Sequence, residues 1–268
     1  ILESRLKLRL GIFDSGIGGF SVLNSLLSSR TDIEVIYLAD VARNPYGEKD
    51  NKEIRNIAIE ISNWFKEKDL DALIIACNTT NACALDILHN TLKIPCFDLI
   101  TSVSSTITSE TIGVLATTAT VKSSFYKKII NNIRPDIKIF QQSCPKFVSE
   151  IERISLDYKK INSLADLYLG ALLRKNISEL ILGCSHYPLI YQILREKIAS
   201  NIKIIDPSIA LAENLNNFFY PSNKFYKSNK YDNVEFFATG KIDEFSIKVT
   251  NWLKINKKIT LVNLRREA

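Results

Sequence analysis

Short apolar runs rich in branched residues alternate along the chain with stretches whose apolar positions recur every three or four residues. The runs Leu8–Phe13, Ile33–Leu38, Ala72–Ala76, Ile94–Phe97, Thr111–Ala116, Ile137–Phe140, Glu179–Gly183, Ile202–Ile205 and Val234–Ala238 predict strands. Between them, Ile54, Ile57, Ala58 and Ile61 share one helical face, as do Leu164, Leu167, Tyr168, Ala171 and Leu172, and Ile209–Phe219 reads as a further helix. Strands separated by such helices predict βαβ units, and so an α/β fold of mostly parallel sheets flanked by helices.

The pattern also repeats. The segment from Gly11 to Gly18 aligns with that from Gly113 to Thr120, each a strand running into a polar turn. A second pair of strand ends, closing on Cys77 and on Cys184, aligns at nearly the same offset. Two pseudo-symmetric lobes are therefore expected, each with its own sheet, and an active site in the cleft between them. The crossover is expected near Asp98–Ser104 and the return near Asp206-Pro207. Residues 1–99 and 206–268 then make one lobe and residues 100–205 the other. The polar stretch Pro221–Asn233, with its lysines and aromatics, reads as a surface loop rather than a nucleic-acid patch.

Composition narrows the class without naming it. With 268 residues, 46% of them hydrophobic and 24% charged, the chain can bury a substantial core. Its apolar runs fall short of the roughly 20 residues of a membrane span, and the charged Ile1–Leu10 stretch does not resemble an export signal, so a cytoplasmic protein away from membranes is expected. The net charge of +6 comes from scattered lysines and arginines, which argues against a nucleic-acid footprint and suits a small anionic substrate. Five irregularly spaced cysteines without a C-x-x-C do not read as a disulfide framework or a zinc site. No metal is expected.

The two cysteine turns carry the chemistry. In Ala76-Cys77-Asn78-Thr79-Thr80 and Gly183-Cys184-Ser185-His186 a thiol ends a strand and is followed by amide, hydroxyl or imidazole groups. Strand ends are where α/β sheets present reactive groups. A following helix N-terminus is expected to lower the thiol from its usual pKa of about 8.5. A single such cysteine would read as core filler; two in matched contexts point to paired acid–base groups. His186 is placed to tune or relay the proton of Cys184. Cys83, Cys96 and Cys144 lack these surroundings and read as packing residues, and His89 as solvent-facing or packing. The turn Asp14-Ser15-Gly16-Ile17-Gly18-Gly19 offers backbone N–H groups at a helix start, as an anion site would. Its spacing is not that of a dinucleotide fingerprint, and Asp14 sits at the anion position. Asp14 reads as an Asx-turn residue, or as the partner of Cys77.

These segments, together with Pro45-Tyr46-Gly47 and Cys144-Pro145, resemble the glutamate racemases of the aspartate/glutamate racemase superfamily, in order across almost the whole chain. The resemblance implies a cofactor-independent isomerase that interconverts L- and D-glutamate for peptidoglycan synthesis and is commonly a homodimer. By the family pattern Cys77 takes the α-proton from D-glutamate and Cys184 from L-glutamate. Asp14, His186 and Glu152 would be supporting acid–base groups, with Glu152 placed by its distance from Cys144-Pro145. Ser15, Pro45, Tyr46, Gly47, Asn78, Thr79, Thr117, Thr120 and Ser185 would surround the substrate. The chain departs from the family at Ser185, where Thr is usual, at Thr80, where a small Ala is common, and at Ala116 and Ala119, which stand where glycines are usual. The alanines bear on how closely the backbone approaches a ligand. An aspartate or related racemase of the same superfamily, or a non-catalytic two-lobed binding protein, would share the fold. Unequal supporting groups at the two cysteines predict different pH dependences for the two directions.

Overall fold

Two parallel sheets with the same internal strand order organise the chain. The structure, a computed structural model, describes residues 7–219 and 229–264; most of the Pro221–Asn233 stretch lies outside the described residues. The first sheet contains β1 (Arg9–Asp14), β2 (Glu34–Ala39), β3 (Ala72–Ile75) and β4 (Cys96–Asp98), and the second β5 (Thr111–Ala116), β6 (Lys138–Ser143), β7 (Glu179–Gly183) and β8 (Lys203–Ile205). Late in the chain, β9 (Val234–Ala238) and β10 (Ile259–Leu261) extend the first sheet. The strand orders are β10-β9-β2-β1-β3-β4 and β6-β5-β7-β8, with every neighbour parallel. The inner strands are buried on both faces, which is why they read as unbroken apolar runs.

Helices α1 (Gly19–Ser29), α2 (Asn51–Lys66) and α3 (Asn78–Thr91) connect β1 to β4, and α4 (Leu99–Ser104) leads into the second sheet. That sheet is covered by α5 (Thr118–Ser123), α6 (Phe125–Ile133), α7 (Phe147–Ile151), α8 (Tyr158–Leu173) and α9 (Tyr191–Glu196). The chain then returns through α10 (Pro207–Phe219), and α11 (Ile242–Leu253) joins β9 to β10. All nine strands expected from the apolar runs are present. β10 has only three residues, two of them exposed, so its pattern carries no strand signal. Helix α11 buries Phe245, Lys248, Val249 and Leu253 on one face; the lysine at an inward position breaks the apolar period there.

In each sheet the chain runs from the first strand to one neighbour and then crosses to the other side. That reversal opens a crevice at the carboxyl ends of β1 and β3, and of β5 and β7. Phe13 is paired with Ile75, and Ala116 with Gly183. Asp14 and Cys77 therefore leave the first sheet side by side, as do Thr117 and Cys184 the second.

Candidate active site

The two cysteine turns are less alike than the sequence repeat suggests. Cys77 is the N-cap of α3, which begins at Asn78. After Cys184 the chain makes a 3-10 helix at Tyr187–Ile190, and only then the short α9. Pro188 falls in the first turn of that 3-10 helix, where its missing N–H has no intrahelical partner to lose. The expected strand–cysteine–helix unit is thus realised fully only at Cys77.

Even there, the expected lowering of the thiol's pKa is overturned. Cys77 is buried, and burial pushes its thiol up to about 12, reinforced by the negative charge of Asp14; hydrogen bonding from Thr80 at the start of α3 opposes this only in part. Loss of water disfavours the thiolate by more than the helix terminus favours it.

Asp14 is fully buried at the end of β1. Its Oδ1 accepts from the Gly16 N–H at 2.8 Å, the Asx turn foreseen, and its Oδ2 accepts from the Ser185 hydroxyl at 2.9 Å. Burial raises its pKa, against the charge of His186 and these two hydrogen bonds. The next free N–H of the glycine-rich turn, that of Ile17, donates to Glu152 Oε1 at 3.0 Å. The anion at this turn is the protein's own carboxylate. A Cβ on Gly16 would run into the Glu152 carboxylate and the Asn44 amide, and one on Gly18 into the His186 ring and the Ser185 hydroxyl. The glycines are needed because the other lobe comes so close.

Glu152, at the C-cap of α7, meets more partners than any other member of this group. Its Oε1 lies 2.6 Å from His186 Nε2 and accepts from Asn44 Nδ2 at 2.6 Å, while its Oε2 pairs with Lys248 Nζ at 2.9 Å. Burial alone would raise its pKa, but His186 and Lys248 hold it down to about 2. The His186 ring is buried, with Nδ1 3.8 Å from Cys184 Sγ. Burial opposes its positive charge, yet hydrogen bonding to Cys184 and Glu152 keeps its pKa well above 6.5.

Between the lobes lies a cavity closed down to about 10 Å³, roughly the room of one water, so the lobes must part to admit a larger molecule. The first lobe lines it with Ser15, Tyr46, Gly47, Cys77, Asn78 and Thr79, the second with Thr117, Val148, Cys184, Ser185 and His186. The only basic side chain in that wall is His186; its other polar side chains are neutral donors and the two thiols. Asn78 Oδ1 accepts from the Tyr126 hydroxyl at 2.8 Å, which leaves the buried Asn78 Nδ2 without a partner. Hydroxyls form a chain from Thr79 through Thr117 to Thr120, each link 2.9 Å. The Ala119 N–H donates to the Gly47 carbonyl at 2.8 Å, so alanine at 119 permits close approach of the two lobes.

Of the residues singled out in the sequence, Thr120 stands behind Thr117 rather than on the wall. Pro45 faces a neighbouring groove, and Asp14 and Glu152 sit one layer back. Tyr46 is anchored through its hydroxyl to Asp40, which also accepts from Arg43 Nε at 2.6 Å and Thr239 Oγ1 at 2.6 Å. His89 is exposed near the end of α3. Sequence reasoning missed Asn44, Val148, Tyr126 and Lys248. Only Lys248 left a trace, as a charge within the apolar period of α11. Among the described residues, no three His, Cys, Asp or Glu side chains converge as a metal-binding group.

Two sheets of like order, closed on a cavity walled by one cysteine from each, define a two-lobed α/β enzyme. The profile of the Asp/Glu/Hydantoin racemase family matches residues 21–215. The chain belongs to that family, and is an enzyme of the racemase class. A protein named glutamate racemase from Prochlorococcus marinus (strain NATL1A) is 44% identical over 262 residues, covering 97% of this chain and 99% of the relative. Among solved structures, glutamate racemase isoform RacE1 from Bacillus anthracis superposes with a TM-score of 0.87 at 27% identity, covering 97% of this chain and 98% of that one. Glutamate racemase from Francisella tularensis subsp. tularensis SCHU S4, solved in complex with D-glutamate, gives 0.86 at 32% identity, covering 96% and 98%.

Proposed function

We propose that the protein interconverts L- and D-glutamate without a cofactor, by proton transfer between Cys77 and Cys184. The observation that carries this reading is that two thiols, one from each lobe, wall a single buried cavity. An α-proton next to a carboxylate is very weakly acidic, and inverting the centre requires removal from one face and delivery to the other. In this reading Cys184 takes the proton from L-glutamate while Cys77 donates from the opposite side, and the roles reverse for D-glutamate.

The geometry supports that division. Cys77 keeps its proton because burial and Asp14 disfavour the thiolate, whereas Cys184 Sγ lies 3.8 Å from His186 Nδ1. Asp14 supports Cys77, while His186 and Glu152 support Cys184. The developing charge on the α-carboxylate is met by the Asn78 Nδ2 and by hydroxyls of Ser15 and Thr79, set in place before the reaction, with Thr117 bonded behind Thr79 and the Ser185 proton committed to Asp14. Enclosure between lobes excludes water and aligns the α-carbon between the sulfurs. Tyr46, Gly47, Pro45 and Thr120 shape or back this wall.

The lobes adopted are residues 1–99 with 206–268, and residues 100–205, a division supported by the membership of the two sheets. Supply of D-glutamate to peptidoglycan, a homodimeric state and a cytoplasmic location are carried by the family resemblance. Among the described residues, no helix is long and apolar enough to cross a membrane.

The test is uptake of solvent deuterium at Cα of each enantiomer, with glutamate and aspartate compared. Exchange and racemisation of glutamate, lost in both Cys77→Ser and Cys184→Ser, is the expected result. Near-normal turnover in either variant would remove the two-thiol mechanism, preference for aspartate would change the substrate, and binding without exchange would mark a non-catalytic protein.

A further inference from the structure

Lys248 stands apart from the residues discussed so far because neither the cysteine motifs nor the cavity wall includes it. It projects from the buried face of α11, between Phe245 and Val249, and is 9% exposed. Burying an ammonium group is costly unless it is paired. Its partner is Glu152 Oε2, at 2.9 Å. The other carboxylate oxygen, Oε1, is the one that meets His186 Nε2, the Asn44 amide and the Ile17 N–H. A line of contacts therefore runs from α11 through Glu152 and His186 to Cys184, crossing from the first lobe to the second.

We propose that Lys248 is a positioning residue for the Cys184–His186 pair: by holding Oε2 of Glu152, it presents Oε1 to His186 Nε2 and so keeps Nδ1 turned towards the thiol. Nδ1 is the ring atom that faces the Cys184 sulfur, at 3.8 Å, and a ring free to turn would exchange a proton with the thiol poorly. Without Lys248, Oε2 becomes a buried, charged oxygen with no partner. The carboxylate then rotates to share its remaining donors or takes up a proton, and in either case the grip on Nε2 is lost. The low pKa of Glu152, about 2, agrees with this arrangement. The other charged groups near Glu152 are Asp14 from β1, Lys241 and Glu244 around the start of α11, and Arg153, just past α7, which pairs with Glu150 of that helix at 3.6 Å.

The activity arm of the test rests on the racemase reading; the spectroscopic arm does not. The chain has two histidines, and His89 is exposed, so protein labelled with 15N-histidine reports His186 as one of two imidazoles. In the wild type and in Lys248→Arg, His186 should hold its Nε2 proton in a single state across the neutral range. In Lys248→Met its Nε2–H should exchange with solvent and its ring signals broaden between orientations, and kcat on glutamate should fall about tenfold or more while KM changes little. Lys248→Gln, which keeps an N–H donor without the charge, should lie between and stands in if the methionine variant does not fold. Unchanged His186 signals and kcat in the methionine or glutamine variant would overturn the proposal. If the wild type shows the His186 signature but exchanges no α-proton of glutamate, the racemase reading fails and the positioning role stands.

Discussion

Ser185, the residue after Cys184, donates its hydroxyl to Asp14 Oδ2 at 2.9 Å. A residue of one half-site thus holds a carboxylate beside the thiol of the other, and the two halves are not independent. Ser185→Ala should leave a buried carboxylate oxygen without its donor, at a cost of about 1–3 kcal/mol. Urea unfolding measures that loss. Ser185→Thr should keep the bond and the stability, and an alanine variant as stable as the wild type would show that the contact contributes nothing.

The thiol of Cys77, held up to about 12 by burial, should be a poor nucleophile in the resting enzyme. Alkylation by iodoacetamide, followed peptide by peptide in mass spectra, should be slow at Cys77 at neutral pH and accelerate without a plateau into the alkaline range. A plateau near neutrality would mean that the helix terminus outweighs burial after all.

Glu152 links the fold to acidity. Its carboxyl titrates at about 2 in the folded chain against 4.5 when free, so the folded state favours the charged form. That contribution is complete above about 4.5 and disappears as pH falls towards about 2. The unfolding free energy should therefore drop across this window, and Glu152→Gln should flatten the drop. Equal slopes in the two proteins would place the acid sensitivity elsewhere.

L- and D-glutamate have equal free energies, so kcat/KM must match in the two directions at every pH. The proposed unequal support of the two thiols, Asp14 at one and His186 with Glu152 at the other, can show only in kcat and KM taken singly. Full progress curves from each enantiomer should give kcat profiles of different shape. His186→Asn should lower kcat from L-glutamate by about a hundredfold. Superimposable kcat profiles would contradict the division of roles.

Adding a methyl group to the glycine-rich turn tests why it is glycine. Gly18→Ala would press on the His186 ring and the Ser185 hydroxyl, and should cost about 1–3 kcal/mol of overpacking with a fall in kcat. An anion-binding turn facing solvent would tolerate it.

Much of the fold was legible because parallel strands buried on both faces must be continuously apolar, and the helices between them must keep one apolar face. Those rules act within about ten residues and can be read locally. β10 escaped because three residues carry no period, and α11 because Lys248 interrupts its apolar stripe. The Cys184 turn reads as a copy of the Cys77 turn because a 3-10 turn and the start of an α-helix draw on the same residue types, and the difference shows only in the hydrogen-bond spacing.

The sequence alone determined the two-lobed α/β plan, the two cysteines at matching strand ends, and the donors that follow them. Each of these depends on spacing along one strand or one turn. Only the tertiary structure decided which groups surround each thiol: that Asp14 is held by Ser185, that Glu152 occupies the glycine-rich turn, and that Lys248 and Asn44 reach Glu152 from distant segments. These contacts arise where the lobes close on each other. The same closure removes water from Cys77 and reverses the pKa shift that its place at a helix start had suggested.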